Sequence, residues 1–187
     1  YPLWIVKMWL AQYDFDTVEM VCSAGNRAPD VCIAANTLKT NTEELKKQLN
    51  EIGISTENGY YIDSAVHIKG SSDLSETESF IKGMFHVQDE SSMLAVSVLD
   101  PKPGETVLDV CAAPGGKSFL AAEKMNNTGR IVSCDIHPHK IELIKSTAER
   151  LGINIIETKI RDASETHKED FEKYDRVIVD APCSGLG

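Results

Sequence analysis

Val107-Leu108-Asp109-Val110-Cys111-Ala112-Ala113-Pro114-Gly115-Gly116-Lys117-Ser118 is the stretch that decides how this chain folds. It opens as a short apolar run, carries an acid at Asp109, breaks into Ala-Ala-Pro-Gly-Gly and resumes as an apolar, Ala-rich segment at Phe119. That order predicts a strand, a tight loop and the start of a helix. Small residues at the carboxyl end of a parallel strand let a ligand approach the backbone, and the helix that follows turns its free amides toward it. A nucleotide-like cofactor is the ligand this implies. A phosphate-binding loop, G-x-x-x-x-G-K-[ST], shares Gly116-Lys117-Ser118 but needs its first glycine where Cys111 stands. The pattern fails at the residue that opens the phosphate cradle.

Downstream, short apolar runs alternate with amphipathic segments. Strands are expected over Thr106 to Cys111, Arg130 to Cys134, Asn154 to Thr158 and Arg176 to Val179, with helices over Lys117 to Met125 and Pro138 to Leu151. This rhythm predicts a doubly wound α/β domain, a parallel sheet covered on both faces. Upstream the pattern differs. Residues 1–27 read as helical with a break near Tyr13-Asp14, and packing is the expected role of Trp4, Tyr13 and Phe15. Asn26-Arg27-Ala28-Pro29 makes a turn. A strand at Val31 to Asn36, a helix capped at Asn41-Thr42-Glu43-Glu44 carrying Leu45, Leu49 and Ile52, and an extended stretch from Tyr60 to Ile68 suggest a small α+β module. His67, alone on that stretch, reads as structural. Ser71 to Glu78 is a polar link, and a helix capped near Gln88 or Asp89 runs to Leu99, where Asp100-Pro101 ends it. The expected division is a helical segment plus α+β module over 1–75 and the α/β core over 76–187.

The chain has 187 residues, 42% of them hydrophobic and 26% charged, as in ordinary globular proteins. No apolar run approaches the roughly 18 residues of a membrane span. It begins at Tyr1-Pro2-Leu3 without an initiator methionine or signal peptide, so a fragment of a cytoplasmic protein is expected. The five cysteines are odd in number and lack C-x-x-C pairing, which fits reduced, mostly buried thiols and no metal site. The net charge of -10 falls mainly on residues 1–100, which carry 7 basic and 15 acidic side chains. Neither half looks like a free-standing basic nucleic-acid binder.

In a parallel sheet the ligand lies beyond the carboxyl ends of the strands. Acids stand at three of those ends. Asp135 follows Ile131-Val132-Ser133-Cys134, about twenty residues past the glycine loop, where an acid holds ribose hydroxyls in dinucleotide sites. Asp162 follows Lys159-Ile160-Arg161, and Asp180 ends Val177-Ile178-Val179 and opens Ala181-Pro182-Cys183-Ser184-Gly185. Each alone reads as a cap or turn residue; together they outline a site. Asp109, inside its strand, could reach the ligand or tie the loop. Cys183 sits in a turn after a strand end, where amides and solvent access favour a thiolate.

Asp109 to Ser118, D-V-C-A-A-P-G-G-K-S, paired with D-A-P-C-S-G at Asp180 to Gly185, closely resembles the RNA cytosine-5 methyltransferases that use S-adenosylmethionine. G-M-F-H-V-Q-D-E-S-S at Gly83 to Ser92 is similar to that family's segment before its first motif. Ala35-Asn36-Thr37-Leu38-Lys39 is similar to its R-x-N-T-L-K, with Ala34 where the arginine is expected. Pro2-Leu3-Trp4-Ile5-Val6 resembles the segment that follows an N-terminal RNA-binding domain in bacterial members acting on 16S ribosomal RNA.

The resemblance implies a Rossmann-like core whose loop, Cys111, Ala112, Ala113, Pro114, Gly115, Gly116 and Lys117, embraces the methionine part of the cofactor. It implies Asp135 at the ribose, Asp162 at the adenine and Asp180 between cofactor and base. Cytosine carbon 5 becomes nucleophilic once a thiol adds to carbon 6, and the base must leave its stack. In this family the attacking thiol belongs to a later Thr-Cys motif, absent here, and the Pro-Cys thiol, Cys183, assists product release. The chain is therefore expected to lack its nucleophile and the remaining strands of its sheet, and RNA is the expected partner. Basic surface for RNA would come from Lys117, Lys124, Arg161 and neighbours. An RNA- or ribosome-interaction module with a vestigial cofactor site is the alternative.

Overall fold

A computed structural model describes residues 1–26, 31–70 and 73–183 of the protein. The chain divides into two compact units, Tyr1–Asp30 and Val31–Gly187. The first holds α1 (Leu3–Leu10) and α2 (Phe15–Gly25), separated at the expected break. Asp14 caps α2 by accepting the Thr17 amide at 2.7 Å. Ile5 and Val18 are its buried side chains, while Trp4, Tyr13 and Phe15 are more than half exposed. The expected packing role of these aromatics is not observed: a pair of short helices has too little interior to enclose them.

The second unit begins with β1 (Val31–Ala35), α3 (Thr42–Glu51), β2 (Thr56–Asn58), β3 (Ala65–Ile68), α4 (Glu78–Ile81) and β4 (Phe85–Val87). The strands form one sheet in the order β2-β3-β1-β4, so the element sequence β-α-β-β-α-β has ferredoxin-like topology. Asn41 caps α3 by accepting the Glu44 amide, and Leu45 and Leu49, one turn apart, are fully buried. They pack with Ile33, Val66, Ile68 and Phe85. The fourth strand, Phe85–Val87, lies beyond residue 75, and β1 pairs with it at Ala34 opposite His86. Ala34 is fully buried there and also faces Ala65, leaving no room for an arginine.

One expectation fails in this module. Of Tyr60 to Ile68 only Ala65–Ile68 is strand, and Tyr60 to Ser64 form a turn. The cause lies far away in sequence: the Glu90 carboxylate accepts the backbone N–H groups of Tyr60, Tyr61 and Ile62 at 3.1, 2.6 and 2.8 Å. Three amides converging on one carboxylate cannot also sit in a ladder.

The remainder is α5 (Glu90–Leu99), β5 (Thr106–Asp109), α6 (Gly116–Lys124), β6 (Arg130–Asp135), α7 (Pro138–Leu151), β7 (Ile156–Ile160) and β8 (Arg176–Ile178). The helix bounds follow local signals. Asp89 caps α5; Pro138 opens α7, and Gly152, at φ +76°, closes it. The parallel sheet has the order β7-β6-β5-β8, with β7 displaced two residues from its expected position.

Among the described residues helices cover one face of this sheet, and the segment between β7 and β8 closes the other. Val107, Ile131 and Ile178 pack under α5, α6 and α7 with Met93, Phe119 and Ile144. Leu108, Val132 and Cys134, on the opposite face, are buried as well and pack with Val110 and Tyr174. Connection handedness explains this. The crossovers β5-α6-β6 and β6-α7-β7 step the same way along the sheet and, being right-handed, share one face. The return from β7 to β8 crosses to the other face, and that segment contains a single 3-10 turn, Lys168–Asp170, instead of a helix.

Candidate active site

Strand order reverses at β5, with β6 on one side and β8 on the other, and the carboxyl end of a strand at such a switch is where open α/β sheets leave a crevice. The Val110 amide donates to Ile178 O at 3.1 Å and the Ala112 amide to Cys134 O at 2.7 Å, so the loop is stitched first to β8 and then to β6. The Ala113-Pro114 peptide is cis. Gly115 has φ +111°, and a side chain there would run into the Phe119 ring; a Cβ on Gly116 would run into the Gln88 amide. The protein's own packing and backbone angle thus demand Gly115, whereas a side chain at Gly116 would require Gln88 to move.

Beneath the loop, Ser118 Oγ donates to Asp109 Oδ2 at 2.8 Å and lies 2.7 Å from Ser133 Oγ. Asp109 therefore ties the loop to its strand. It is almost wholly buried and its Oδ1 has no partner. Burial pushes its carboxyl up to about 6, against the Ser118 hydrogen bond and the Lys117 charge.

A cleft of about 560 Å³ opens over these strand ends, lined by Cys111, Ala113, Asp135, Asp162, Asp180 and Cys183. The structure thus brings together six of the residues singled out from sequence. Asp135 ends β6, largely buried; its Oδ1 accepts the His137 amide at 3.0 Å and its Oδ2 lies 3.9 Å from Lys140 Nζ. Asp162 Oδ1 accepts the Ser164 amide at 2.9 Å and hydroxyl at 2.7 Å, which hold its carboxyl below the usual range. Asp180 Oδ2 accepts from Lys117 Nζ at 2.6 Å, and the same ammonium reaches Ser92 Oγ at 3.1 Å. Lys117, engaged inside the protein, borders a neighbouring cleft with Asp180. Ala112 packs into the core, and Pro114, Gly115 and Gly116 shape the loop without lining the cleft.

The Cys111 thiol is pushed up by burial and then by Asp109, Asp135, Asp180 and Asp162. Cys183 is exposed at the cleft, and Ser184 and Gly185 lie outside the described residues. His137 and Lys140 also line the cleft; their sequence signal was the run D-I-H-P-H-K directly after a strand end.

Away from the cleft, the expected basic surface is altered and the structural reading of His67 is met. Lys117 and Arg161 are mostly covered and taken up in ion pairs, Lys117 with Asp180 and Arg161 with Asp170 and Glu169, while Lys124 borders a different cavity. In the A-N-T-L-K segment Ala35 and Asn36 are buried and Thr37 and Lys39 exposed, yet Asn36 and Lys39 both bond to protein backbone. Asn36 Nδ2 donates to Gly83 O and Leu151 O at 2.8 and 2.9 Å, and Lys39 Nζ to Lys82 O and Arg150 O at 2.9 and 2.8 Å. Finally, His67 is structural, its Nε2 3.0 Å from Glu90 Oε2.

Comparisons with known proteins agree with this architecture. A family model described as 16S rRNA methyltransferase RsmB/F matches residues 96–187, and a second, for an RsmF/B-like ferredoxin-like domain, matches residues 1–75. The probable ribosomal RNA small subunit methyltransferase B of Bacillus subtilis (strain 168) is 43% identical over the whole chain. The 28S rRNA (cytosine-C(5))-methyltransferase of Mus musculus is 33% identical over 84% of the chain and 20% of its own length. The crystal structure of PH0851 superposes with a TM-score of 0.88 at 35% identity, over 96% of this chain and 41% of that one. The chain spans 42% of the length of the Bacillus relative. From the two family matches, the identity along the whole chain and the shared fold, the chain belongs to the RsmB/F family of ribosomal RNA methyltransferases.

Proposed function

We propose that the cleft binds S-adenosylmethionine and that the protein methylates carbon 5 of cytosine in RNA, with 16S ribosomal RNA as the substrate. The observation that carries this reading is the convergence of Asp135, Asp162 and Asp180 on one cleft at the switch point of the sheet. The cleft's volume lies within the range of small-molecule sites. Its charge bears on the ligand: the carboxylates that, after burial, raise the Cys111 thiol outnumber Lys140 and Arg161 on the lining and disfavour a phosphate. A sulfonium ligand without phosphates fits that field. Asp135 and Asp162 each use Oδ1 on backbone or hydroxyl donors, while no described residue donates a hydrogen bond to Oδ2. Ribose hydroxyls and an adenine amino group are donors of the kind these oxygens accept.

When bound, S-adenosylmethionine supplies an activated methyl group. The chain's own part is orientation: Lys117, held by Ser92, fixes the Asp180 carboxylate beside the cleft where the base is received. Cys183, at the open edge, is placed to assist product release. No Thr-Cys pair occurs in these 187 residues, and we infer that the attacking thiol lies outside them. On this reading residues 76–187 bind the cofactor, residues 1–75 contribute to RNA recognition, and the protein works in the cytoplasm, where its ribosomal substrate is. Among the described residues no helix is long and apolar enough to cross a membrane.

Isothermal titration calorimetry of this chain with S-adenosylmethionine tests the reading. Saturable one-to-one binding, weakened about tenfold or more by Asp135→Asn, is expected. No saturable binding, together with retained RNA binding, would replace it by the interaction-module alternative.

A further inference from the structure

Directly behind the cofactor loop, two titratable side chains face each other in the interior. His86 lies on β4 and Glu123 on the last turn of α6; both are nearly inaccessible to solvent, with Nδ1 of one 3.7 Å from Oε1 of the other. Neither His86 ring nitrogen has a hydrogen-bond partner, and neither has Glu123 Oε1. Glu123 Oε2, by contrast, accepts the Thr37 amide at 3.4 Å. A carboxyl whose one oxygen already accepts a hydrogen bond and whose other faces an imidazole nitrogen at 3.7 Å forms the second bond if it gains a proton and the pair closes by about 1 Å. The pair is also linked to the cofactor loop. The His86 ring meets the Phe119 ring edge-on at 5.6 Å, and the Phe119 ring fills the space beside Gly115. The Gly116 peptide faces the imidazole as well. From the same strand end, Gln88 covers Gly116.

We propose that His86 and Glu123 are positioning residues for the cofactor loop: protonated Glu123 donates to His86 Nδ1, and this buried contact braces Phe119 and the Gly115-Gly116 turn against the cleft. The inference rests on the S-adenosylmethionine reading for its ligand but not for its geometry. With Nδ1 accepting, the neutral ring carries its own proton on Nε2.

The surroundings favour this protonation state. Burial is the largest influence on both groups. It pushes the Glu123 carboxyl up to about 8, against the Thr37 hydrogen bonds, and the His86 imidazole down to about 4, assisted by the Arg150 charge. Around the pair, α7 brings Arg150, the segment after β1 brings Thr37, β1 places Ala34 opposite His86, and α5 contributes Met93 and Val96 to the adjoining core. Among the described residues no counter-charge stands close enough to hold Glu123 ionised. The carboxyl proton is therefore present at neutral pH and leaves as the pH rises through about 8, ending the contact.

The test compares wild type, Glu123→Leu and Glu123→Gln by calorimetric titration with S-adenosylhomocysteine, which lacks the labile sulfonium, from about pH 6.5 to about pH 9. Wild type should lose affinity about fivefold or more across the alkaline limb. Glu123→Leu should bind about fivefold more weakly than wild type already at neutral pH. Glu123→Gln, whose amide donates to Nδ1 and accepts from Thr37 at every pH, should recover most of that loss and abolish the alkaline limb. An alkaline limb unchanged in Glu123→Gln, or a flat profile in wild type, overturns the proposal. Hydrogen exchange on the ligand-free proteins provides a second measurement. Protection of the 115–118 amides, corrected for intrinsic exchange, should fall about fivefold above about pH 8 in wild type and stay level in Glu123→Gln. Equal behaviour of the two proteins overturns the proposal even if no cofactor binds, and unequal behaviour without binding rejects only the cofactor reading. If Glu123→Leu does not fold, His86→Phe, which keeps the aromatic contact and removes Nδ1, takes its place, with the same expected weakening at neutral pH.

Discussion

Glu90→Gln is expected to destabilise the protein by about 2 kcal/mol at neutral pH, with a dependence on pH that identifies the cause. Glu90 opens α5 and is almost entirely enclosed, yet it holds the Tyr60, Tyr61 and Ile62 amides and His67. Burial raises its carboxyl, but the hydrogen bonds outweigh that and take it from 4.5 down to about 2. A shift of that size is worth about 3 kcal/mol at ~1.4 kcal/mol per tenfold, and solvent screening around the exposed turn trims it to about 2 kcal/mol. A folded-state value below the unfolded one means stability that is present above about pH 4.5 and lost as the pH falls toward about 2. The amide of glutamine keeps one acceptor and turns a donor toward amides that also donate, so the loss cannot be recovered by rotation. Urea unfolding of wild type and variant should therefore differ by about 2 kcal/mol near neutrality, and by about 1 kcal/mol less near pH 3.5. A difference that stays constant over that range, or one below about 0.5 kcal/mol at neutrality, would refute the reasoning.

Two further substitutions probe the loop. Gly115→Ala places a side chain at φ +111° and against the Phe119 ring; it should cost about 2–4 kcal/mol, read as a lowered Tm, and weaken cofactor binding in calorimetry. Asp109→Asn keeps an acceptor for Ser118 and removes a charge whose folded-state value is raised from 3.8 to about 6. The wild type loses stability as the pH rises through about 6, so the variant should be more stable by about 1–2 kcal/mol near pH 7.5 and equal near pH 4. Urea melts at the two values check this, and a variant less stable at both would show that the charge, not its burial, is what the loop needs.

Much of the architecture could be read locally. Pro138 and Gly152 bracket α7 at the expected residues because both act through their own backbone angles. The acids at the strand ends gather into one cleft because neighbouring parallel strands end side by side, so a sequence position after each apolar run becomes a spatial one. What could not be read depended on distant partners. The turn at Tyr60 to Ser64 is imposed by Glu90, roughly thirty residues later. Glu123, between Ala122 and Lys124 on a helix, looks like part of a solvated face until His86 and Thr37 arrive from another sheet. That a loop and not a helix closes the second side of the parallel sheet follows from the path between β7 and β8, whose sequence carries no marker of which face it crosses. The loop glycines were legible as residues, but the groups that exclude side chains there, Phe119 and Gln88, were not.

The bonding of the A-N-T-L-K segment bears on how this protein comes apart. The last turn of α7 does not leave its carbonyls to water: Leu151 O is taken by Asn36 and Arg150 O by Lys39. Arg150 in return donates to Phe80 O and Phe85 O while lying 3.9 Å over the Phe80 ring. Each sheet therefore supplies the terminators of the other's chain ends, so neither can melt first without stranding buried carbonyls in its neighbour. Residues 31–187 should then unfold as one cooperative block despite holding two sheets of different kinds. A polypeptide starting after Val87 would lose more than a recognition surface: it would lose the caps of its own longest helix.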